Sequence, residues 1–342
     1  MNKYYSTYIS GLSSPIADFL KEDLSKIKII NNLDGLIEYT TDVDFSKIKV
    51  LPYLTNTFSI IKDKKNCSVE NMAETIIRDD NINSILKKVV PKERASFRIL
   101  ISKENNLVSI NNKLLIQLEQ KITSSTRLYV NRNRPNYQFW ILSRSEGITY
   151  FSIRRTTLKK EDKNRDNGEL RPQLAYTLSR LSEPKENELF LDPFFGSGTI
   201  PLARASMTKK GLILASDNDD KKVKEFKEKV KQKNLKKKIV IKSADALSLK
   251  DYGDSFIHKI VTDPPWGYYE KISNIEDFYN RMLKEFWRIL LPEGLLVLLI
   301  ANNGEFEKAL VNCENRFQTI SKANILVSGK KANIYKMRKI KC

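Results

Sequence analysis

Histidine and cysteine are nearly absent from this chain of 342 residues: there is one histidine, His258, and three scattered cysteines, Cys67, Cys313 and Cys342. With no CxxC pair, a disulfide framework and a zinc site are both excluded, so no metal is expected and a reducing cytoplasm is the natural setting. Glycine and proline are sparse, at 12 and 11, which excludes collagen-like and linker-dominated architectures. Long apolar runs are missing as well. The longest, Ile289 to Ala301, is broken by Pro292, Glu293 and Gly294 and cannot span a bilayer. The first residues, MNKYYSTYISGL, show no charged stretch leading into an apolar one, so no secretory signal is visible. Acids are in deficit, 41 against 60 Lys and Arg, giving a formal charge of +19. Such a surface attracts polyanions, nucleic acid above all. A Lys- and Asn-rich composition inherited from an AT-rich genome would give the same count with no partner. At 41% hydrophobic residues the chain has ample material for packed cores, and its length suggests two or three domains.

The chain divides near residues 158–169, where LKKEDKNRDNGE is almost wholly polar and reads as an exposed connector. Before it, short elements alternate in mixed order. Strands are expected at Asn2–Ser10, Gly35–Tyr39, Ser96–Ser102, Gln138–Ser143 and Gly147–Arg154. Helices are expected at Pro15–Leu24, Val69–Ile77 and Asn112–Ile122, the last with Leu114, Leu115, Leu118 and Ile122 on one face. This is an α+β pattern without repeats. After the connector, strand and helix alternate as in a parallel α/β sheet. Leu189–Leu191, Leu212–Ala215, Ile239–Ile241, Ile257–Thr262 and Leu295–Ile300 read as strands. Lys221–Asn234 reads as a Lys/Glu-rich helix. In a further helix, Ile275–Leu291, Phe278, Met282, Phe286 and Ile289 form one stripe. Ala323–Ser328 and Ala332–Met337 flank Gly329-Lys330-Lys331 as a hairpin.

Two motifs carry chemistry. Asp192-Pro-Phe-Phe-Gly196-Ser-Gly198-Thr199 follows a strand and opens a helix, where paired glycines let a ligand approach the backbone and its amides. Asp217 and Asp219 follow the next strand in Ser-Asp-Asn-Asp, where an acid would hydrogen-bond ribose hydroxyls, and Asp245 after the third strand is placed to read an adenine amino group. A dinucleotide would want a third glycine where Pro201 stands. Asp192 ahead of the loop points instead to S-adenosylmethionine, whose ammonium is cationic. A glycine turn without a ligand is the plain alternative. The second motif, Asp263-Pro264-Pro265-Trp266, follows the fourth strand. Methylating an exocyclic amine requires drawing its lone pair out of conjugation. Asp263 and a carbonyl of the Pro-Pro turn can each accept one N–H, the prolines holding both in place, while Trp266 can stack on a flipped-out base. A rigid turn with a core tryptophan is the plain alternative here.

From about Leu170 to the end the chain resembles the class I S-adenosylmethionine methyltransferases that modify exocyclic amines. The resemblance rests on Asp192–Thr199, Asp217, Asp245 and Asp263–Trp266 in that order. Leu170-Arg171-Pro172-Gln-Leu-Ala resembles the helix that opens the catalytic domain of THUMP-containing RNA methyltransferases, where it packs beside the cofactor. Ser96–Leu100, the helix near Leu114–Ile122, Val130–Pro135 and the two following strands resemble a THUMP domain. The implied fold is α/β, a Rossmann-like domain with a mixed seven-stranded sheet at residues 170–342. A ferredoxin-like domain at 1–60, a THUMP domain at 61–157 and a linker at 158–169 would precede it.

The implied activity is methylation of guanosine N2 in tRNA, with THUMP on the acceptor end. Asp263, Pro264, Pro265 and Trp266 would be catalytic. Asp192, Phe194, Gly196, Gly198, Thr199, Asp217, Asn218, Asp245 and Ala246 would hold the cofactor. The chain departs from relatives with Cys-Gly-Ser-Gly by carrying Phe195, a size tolerable if the ring packs against adenosine.

Arg127, Arg132, Arg134, Arg144, Arg154 and Arg155, interleaved with Tyr129, Tyr137, Phe139 and Trp140, suit phosphate contacts and base stacking. Some of those aromatics must be core. The Lys run 221–242 reads as a solvated helix face before it reads as RNA-binding, and His258 as structural. A monomer is expected, with no membrane partner. Methylation of DNA or rRNA, at adenine N6 or guanine N2, remains an alternative, as does an RNA-binding scaffold without chemistry.

Overall fold

Short alternating strands in the N-terminal half need one shared sheet to satisfy their backbone groups. The computed structural model describes residues 1–90, 93–156, 169–267, 272–301, 304–313 and 315–340. Two compact units form, one from residues 1–8 and 16–159, the other from 9–15 and 160–342. Most of the connector expected at 158–169 lies outside the described residues.

The first unit runs β1 (Asn2–Thr7), α1 (Ser13–Asp23), β2 (Lys28–Leu33), β3 (Leu36–Thr41), α2 (Phe45–Ile48), β4 (Asn56–Lys65), α3 (Val69–Arg78), α4 (Asn81–Val89), β5 (Ser96–Lys103), β6 (Asn106–Leu107), α5 (Asn112–Ser125), β7 (Tyr129–Val130), β8 (Tyr137–Ser143) and β9 (Ile148–Arg154). These strands make one nine-stranded sheet in the order β2-β3-β1-β4-β9-β8-β5-β6, with β7 beside β5. Residue 60 falls inside β4, whose first half pairs with β1 and whose length pairs with β9. Neither β2, β4 nor α4 stands out in the sequence. One face of β4, β5, β8 and β9 buries Ile61, Phe97, Phe139, Ile141, Phe151 and Ile153 with Met72, Ile76, Leu118 and Ile122 of α3 and α5.

The second unit runs α6 (Pro172–Leu181), β10 (Leu189–Asp192), α7 (Thr199–Ala205), β11 (Leu212–Asp217), α8 (Asp220–Gln232), β12 (Ile239–Ser243), β13 (Ile257–Thr262), α9 (Ile275–Ile289), β14 (Leu290–Ala301), α10 (Glu305–Val311), β15 (Phe317–Val327) and β16 (Lys330–Lys339). Its sheet has the order β12-β11-β10-β13-β14-β16-β15. The first five strands are parallel and β16 is antiparallel to both neighbours. Strands covered on both faces must be apolar throughout, and Leu295 to Ala301 of β14 are all buried. The chain steps outward from β10 to β12, then returns to place β13 on the other side of β10. This reversal opens a crevice at the carboxyl ends of β10 and β13. Helix α9 closes the sheet with Tyr279, Met282, Leu283, Phe286 and Ile289, all fully buried, the last four each worth about 1.5–3 kcal/mol of apolar burial. Phe278, expected on that stripe, is only half-buried. No described helix is long and apolar enough to cross a membrane.

The β10–α7 loop depends on its glycines for different reasons. Gly198 has φ +82° and caps α7, and a Cβ there would lie 2.0 Å from the ring of Phe226 on α8. Gly196 has φ +53°, but a Cβ there would meet no atom within 4 Å. The expected result is that Gly198→Ala lowers stability in urea unfolding by about 2–4 kcal/mol, from backbone strain plus overpacking. Gly196→Ala should lose only the backbone share, about 1–2 kcal/mol. Equal losses at the two positions would contradict the packing role of Gly198.

Candidate active site

Because β10 and β13 are neighbours, the loops that leave their carboxyl ends emerge side by side. A cavity of about 430 Å³ lies there, within the range of small-molecule sites. Phe194, Gly196, Thr199, Asp217, Asn218, Asp245, Ala246 and Asp263 to Trp266 all line it, so the strand order brings together residues up to 72 apart in the chain (194 to 266). Asp192 and Gly198 are not part of the lining. Gly198 sits against Phe226, and its N–H is spent on the Phe195 carbonyl at 2.7 Å. The Phe195 ring is buried against Phe226, centroids 4.8 Å apart, which is how the loop accommodates its size.

Asp192 lies beneath the cavity, fully buried. Its Oδ1 accepts the Thr262 hydroxyl at 2.6 Å and the Phe194 N–H at 3.3 Å, while Oδ2 has no partner among the described residues. Burial is the main reason its pKa is pushed up to about 8, with the charges of Asp263 and Asp217 adding to it. Asp217 accepts the Gly196 N–H at 2.9 Å through Oδ2 and the Asp219 N–H at 3.1 Å through Oδ1. The two acids of Ser-Asp-Asn-Asp thus part ways. Asp217 faces the cavity, whereas Asp219 caps α8 by accepting from Lys221 and Lys222. Asp245 is exposed at the opposite wall and accepts the Leu247 N–H at 2.9 Å.

In the second loop, Asp263 Oδ1 accepts the Trp266 indole N–H at 2.8 Å. Burial pushes the Asp263 carboxyl up to about 7, and the indole hydrogen bond opposes that rise. The Tyr279 hydroxyl donates to the Pro265 carbonyl at 3.3 Å. The Pro264 carbonyl and Asp263 Oδ2 have no partner among the described residues.

These residues fit S-adenosylmethionine. The orphaned Asp192 oxygen and three neighbouring carboxyl groups, Asp192, Asp217 and Asp263, make a field that favours a cation. Asp217 stands at the second strand end for a ribose, with Asp245 and Ala246 at the third for the adenine ring. Sequence reasoning missed Glu169, Lys222, Phe278, Ser328 and Lys330, which also line the cavity. Phe278 hides on the apolar stripe of α9. Ser328 and Lys330 sit on the β15–β16 turn, where Gly329 has φ +80° and Ser328 +49°.

The six arginines expected on an RNA surface do not act alike. Arg132 pairs with Glu119 through two bonds of 3.1 and 2.9 Å, and Arg144 with Glu146 at 3.2 and 2.8 Å. Arg155 donates to the Val89 carbonyl at 2.7 Å and lies over Phe45. Arg127 and Arg134 are exposed. Arg154 is half-buried beside Arg98, a residue the sequence pattern did not single out. His258 accepts the Leu189 N–H at 3.2 Å, a structural role.

Among known proteins, residues 162–333 match the RMKL-like methyltransferase domain. A probable tRNA (guanine(10)-N2)-dimethyltransferase of Methanothermococcus thermolithotrophicus is 33% identical over 131 residues, 36% of this chain and 77% of that protein. The tRNA (guanine(6)-N2)-methyltransferase of Methanocaldococcus jannaschii is 24% identical, covering 97% of this chain and 98% of its own. The crystal structure of TrmN from Thermus thermophilus shares the fold, with a TM-score of 0.79 at 19% identity over 99% of this chain and 100% of that one. With the crevice, its acids and the matched span in agreement, the chain belongs to the RMKL-like methyltransferase domain family.

Proposed function

We propose that this protein methylates the N2 amino group of a guanosine in tRNA, with S-adenosylmethionine as methyl donor. When bound, that cofactor supplies an electrophilic sulfonium methyl. The observation that carries the reading is a pair of acceptors on the cavity wall, Asp263 Oδ2 and the Pro264 carbonyl, neither with a partner among the described residues. An amino group has two N–H bonds, and two fixed acceptors hold it with its lone pair aimed away from the ring. The prolines keep the acceptors in register, so the catalysis is one of positioning. The aromatic rings of Phe194, Phe278 and Trp266 line the same cavity and offer stacking surfaces for a base. Guanosine in tRNA is supported by the two relatives named above, one of them aligned along almost the whole chain.

The same reading assigns residues 170–342 to methyl transfer and 1–60 and 61–157 to ferredoxin-like and THUMP portions of an RNA-binding unit. That unit would hold the acceptor end, in a cytoplasmic monomer. The paired registers of β5, β8 and β9 set Arg98, Gln138 and Arg154 in one row across the sheet. Arg154 donates to Gln138 at 3.3 Å and to Asn56, and neither arginine has a carboxylate partner among the described residues. Two uncompensated guanidiniums side by side favour a phosphate, which supports an RNA contact here.

Asp263→Ala is expected to abolish methyl transfer to tRNA while cofactor binding by calorimetry stays within a few-fold; full turnover in that variant would remove Asp263 from the site. In the wild type, Asp263 must be ionised to accept strongly. Activity should therefore fall as pH drops below about 7, read from the pH dependence of turnover at saturating substrates. For the RNA grip, replacing Arg98 and Arg154 together by Gln should weaken tRNA binding and reduce the salt slope by about 1–2. An unchanged slope would exclude those two arginines from phosphate contact.

A further inference from the structure

We propose that Trp266 is a positioning residue whose indole N–H locks the Asp263 carboxylate so that its second oxygen is the one presented to the target amine. The inference rests on the role given to Asp263 above. A carboxylate on a short side chain turns easily about its last torsion, which is broad and roughly two-fold. Here one oxygen is tethered. Trp266 Nε1 lies 2.8 Å from Asp263 Oδ1 and 3.3 Å from the carbonyl oxygen of Leu299. Leu299 is fully buried within β14, so the indole edge is anchored to the middle of the sheet. Two proline rings separate Asp263 from Trp266 and fix the span between carboxylate and indole. With Oδ1 engaged, Oδ2 is left without a partner among the described residues, beside the equally unpartnered Pro264 carbonyl.

The choice of tryptophan follows from donor chemistry. The indole N–H only donates, so it cannot compete with Asp263 for the hydrogens of the amine. A tyrosine hydroxyl could accept them, and a phenylalanine would leave the carboxylate untethered. Donation to the carboxylate also favours its charged form against the surrounding burial. Among the described residues, the other ionisable groups around the cavity are Asp192, Asp217, Asp245, Glu169, Lys222 and Lys330. The Trp266 indole N–H donates to Asp263 and to the Leu299 carbonyl, so its loss takes a donor from Asp263 directly.

The test compares wild type, Trp266→Phe and Trp266→Leu in methylation of tRNA with S-adenosylmethionine across the neutral pH range. The Phe variant keeps a ring and loses the N–H. Its turnover near pH 7 should fall about tenfold or more, cofactor affinity should hold, and the acid limb should move to higher pH so that the deficit shrinks in alkali. Wild-type turnover with an unmoved limb in the Phe variant, against an inactive Leu variant, would overturn the proposal and leave Trp266 a stacking platform. A second measurement needs no RNA. Among the three tryptophans, the Trp266 indole proton–nitrogen resonance, identified by its loss in Trp266→Phe, should titrate near pH 7 and stop titrating in Asp263→Asn. A resonance indifferent to pH overturns the proposal. A titrating indole in a protein that methylates no tRNA supports the tether while sinking the functional reading on which it was built.

Discussion

One hydrogen bond joins the two halves of the cavity: the Thr262 hydroxyl, at the end of β13, donates to the buried Asp192 carboxyl, at the end of β10, across 2.6 Å. Both residues are fully buried. From this tie the glycine loop leaves on one side and the Asp263–Trp266 turn on the other. Their spacing is therefore set by adjacent strands of a sheet rather than by flexible loops. A methyl donor held by the first loop and an amine held by the second need such fixed separation, because reacting atoms must meet within a narrow range of distance and angle. The reversal of strand order between β10 and β13 makes the tie possible.

Electrostatics follow from the same crowding. Asp192 and Asp263 are held up by burial to about 8 and 7, and Asp192 feels the charges of Asp263 and Asp217 as well. Carboxylates that resist ionisation beside one another gain most from a positive ligand, since a cation favours the charged form of each. The orphaned Asp192 oxygen is then a reserve of negative charge under the floor of the site. On the N-terminal sheet the sign reverses: Arg98 and Arg154 lie together with no carboxylate partner among the described residues. The net charge of +19 is thus not spread evenly in its effect. Arg132 and Arg144 are spent on glutamates, and Lys238 donates to the Ala205 carbonyl at 2.7 Å.

Much of the catalytic half is legible in the sequence because parallel strands buried on both faces must be apolar runs, and each run ends at a residue with a task. Asp192, Asp217 and Asp263 stand at or just beyond such ends, so their position could be read without the fold. Gly198 was legible as a required glycine, but not the reason, since Phe226 is 28 residues away (198 to 226) and meets it only after α8 packs. Phe278 and Lys330 were hidden because helix periodicity and a basic hairpin have commoner explanations than a cavity wall. In the first unit β4 escaped notice: its apolar start runs into Lys62-Asp-Lys-Lys65, whose exposed end looks like a loop, although the strand joins the two portions of the sheet. Strand β2 failed for the opposite reason, its alternation being half-exposed throughout.

The central claim is that two fixed acceptors beside an acid-lined cofactor cavity present a guanine amine for methylation. Nucleoside mass spectrometry of an unmodified tRNA transcript, incubated with the purified protein and S-adenosylmethionine, tests it most directly. N2-methylated guanosine is the expected product, absent when Asp263 is replaced by Ala. Methylation at adenine N6, or N2-methylguanosine formed equally well by the Asp263→Ala variant, would contradict it.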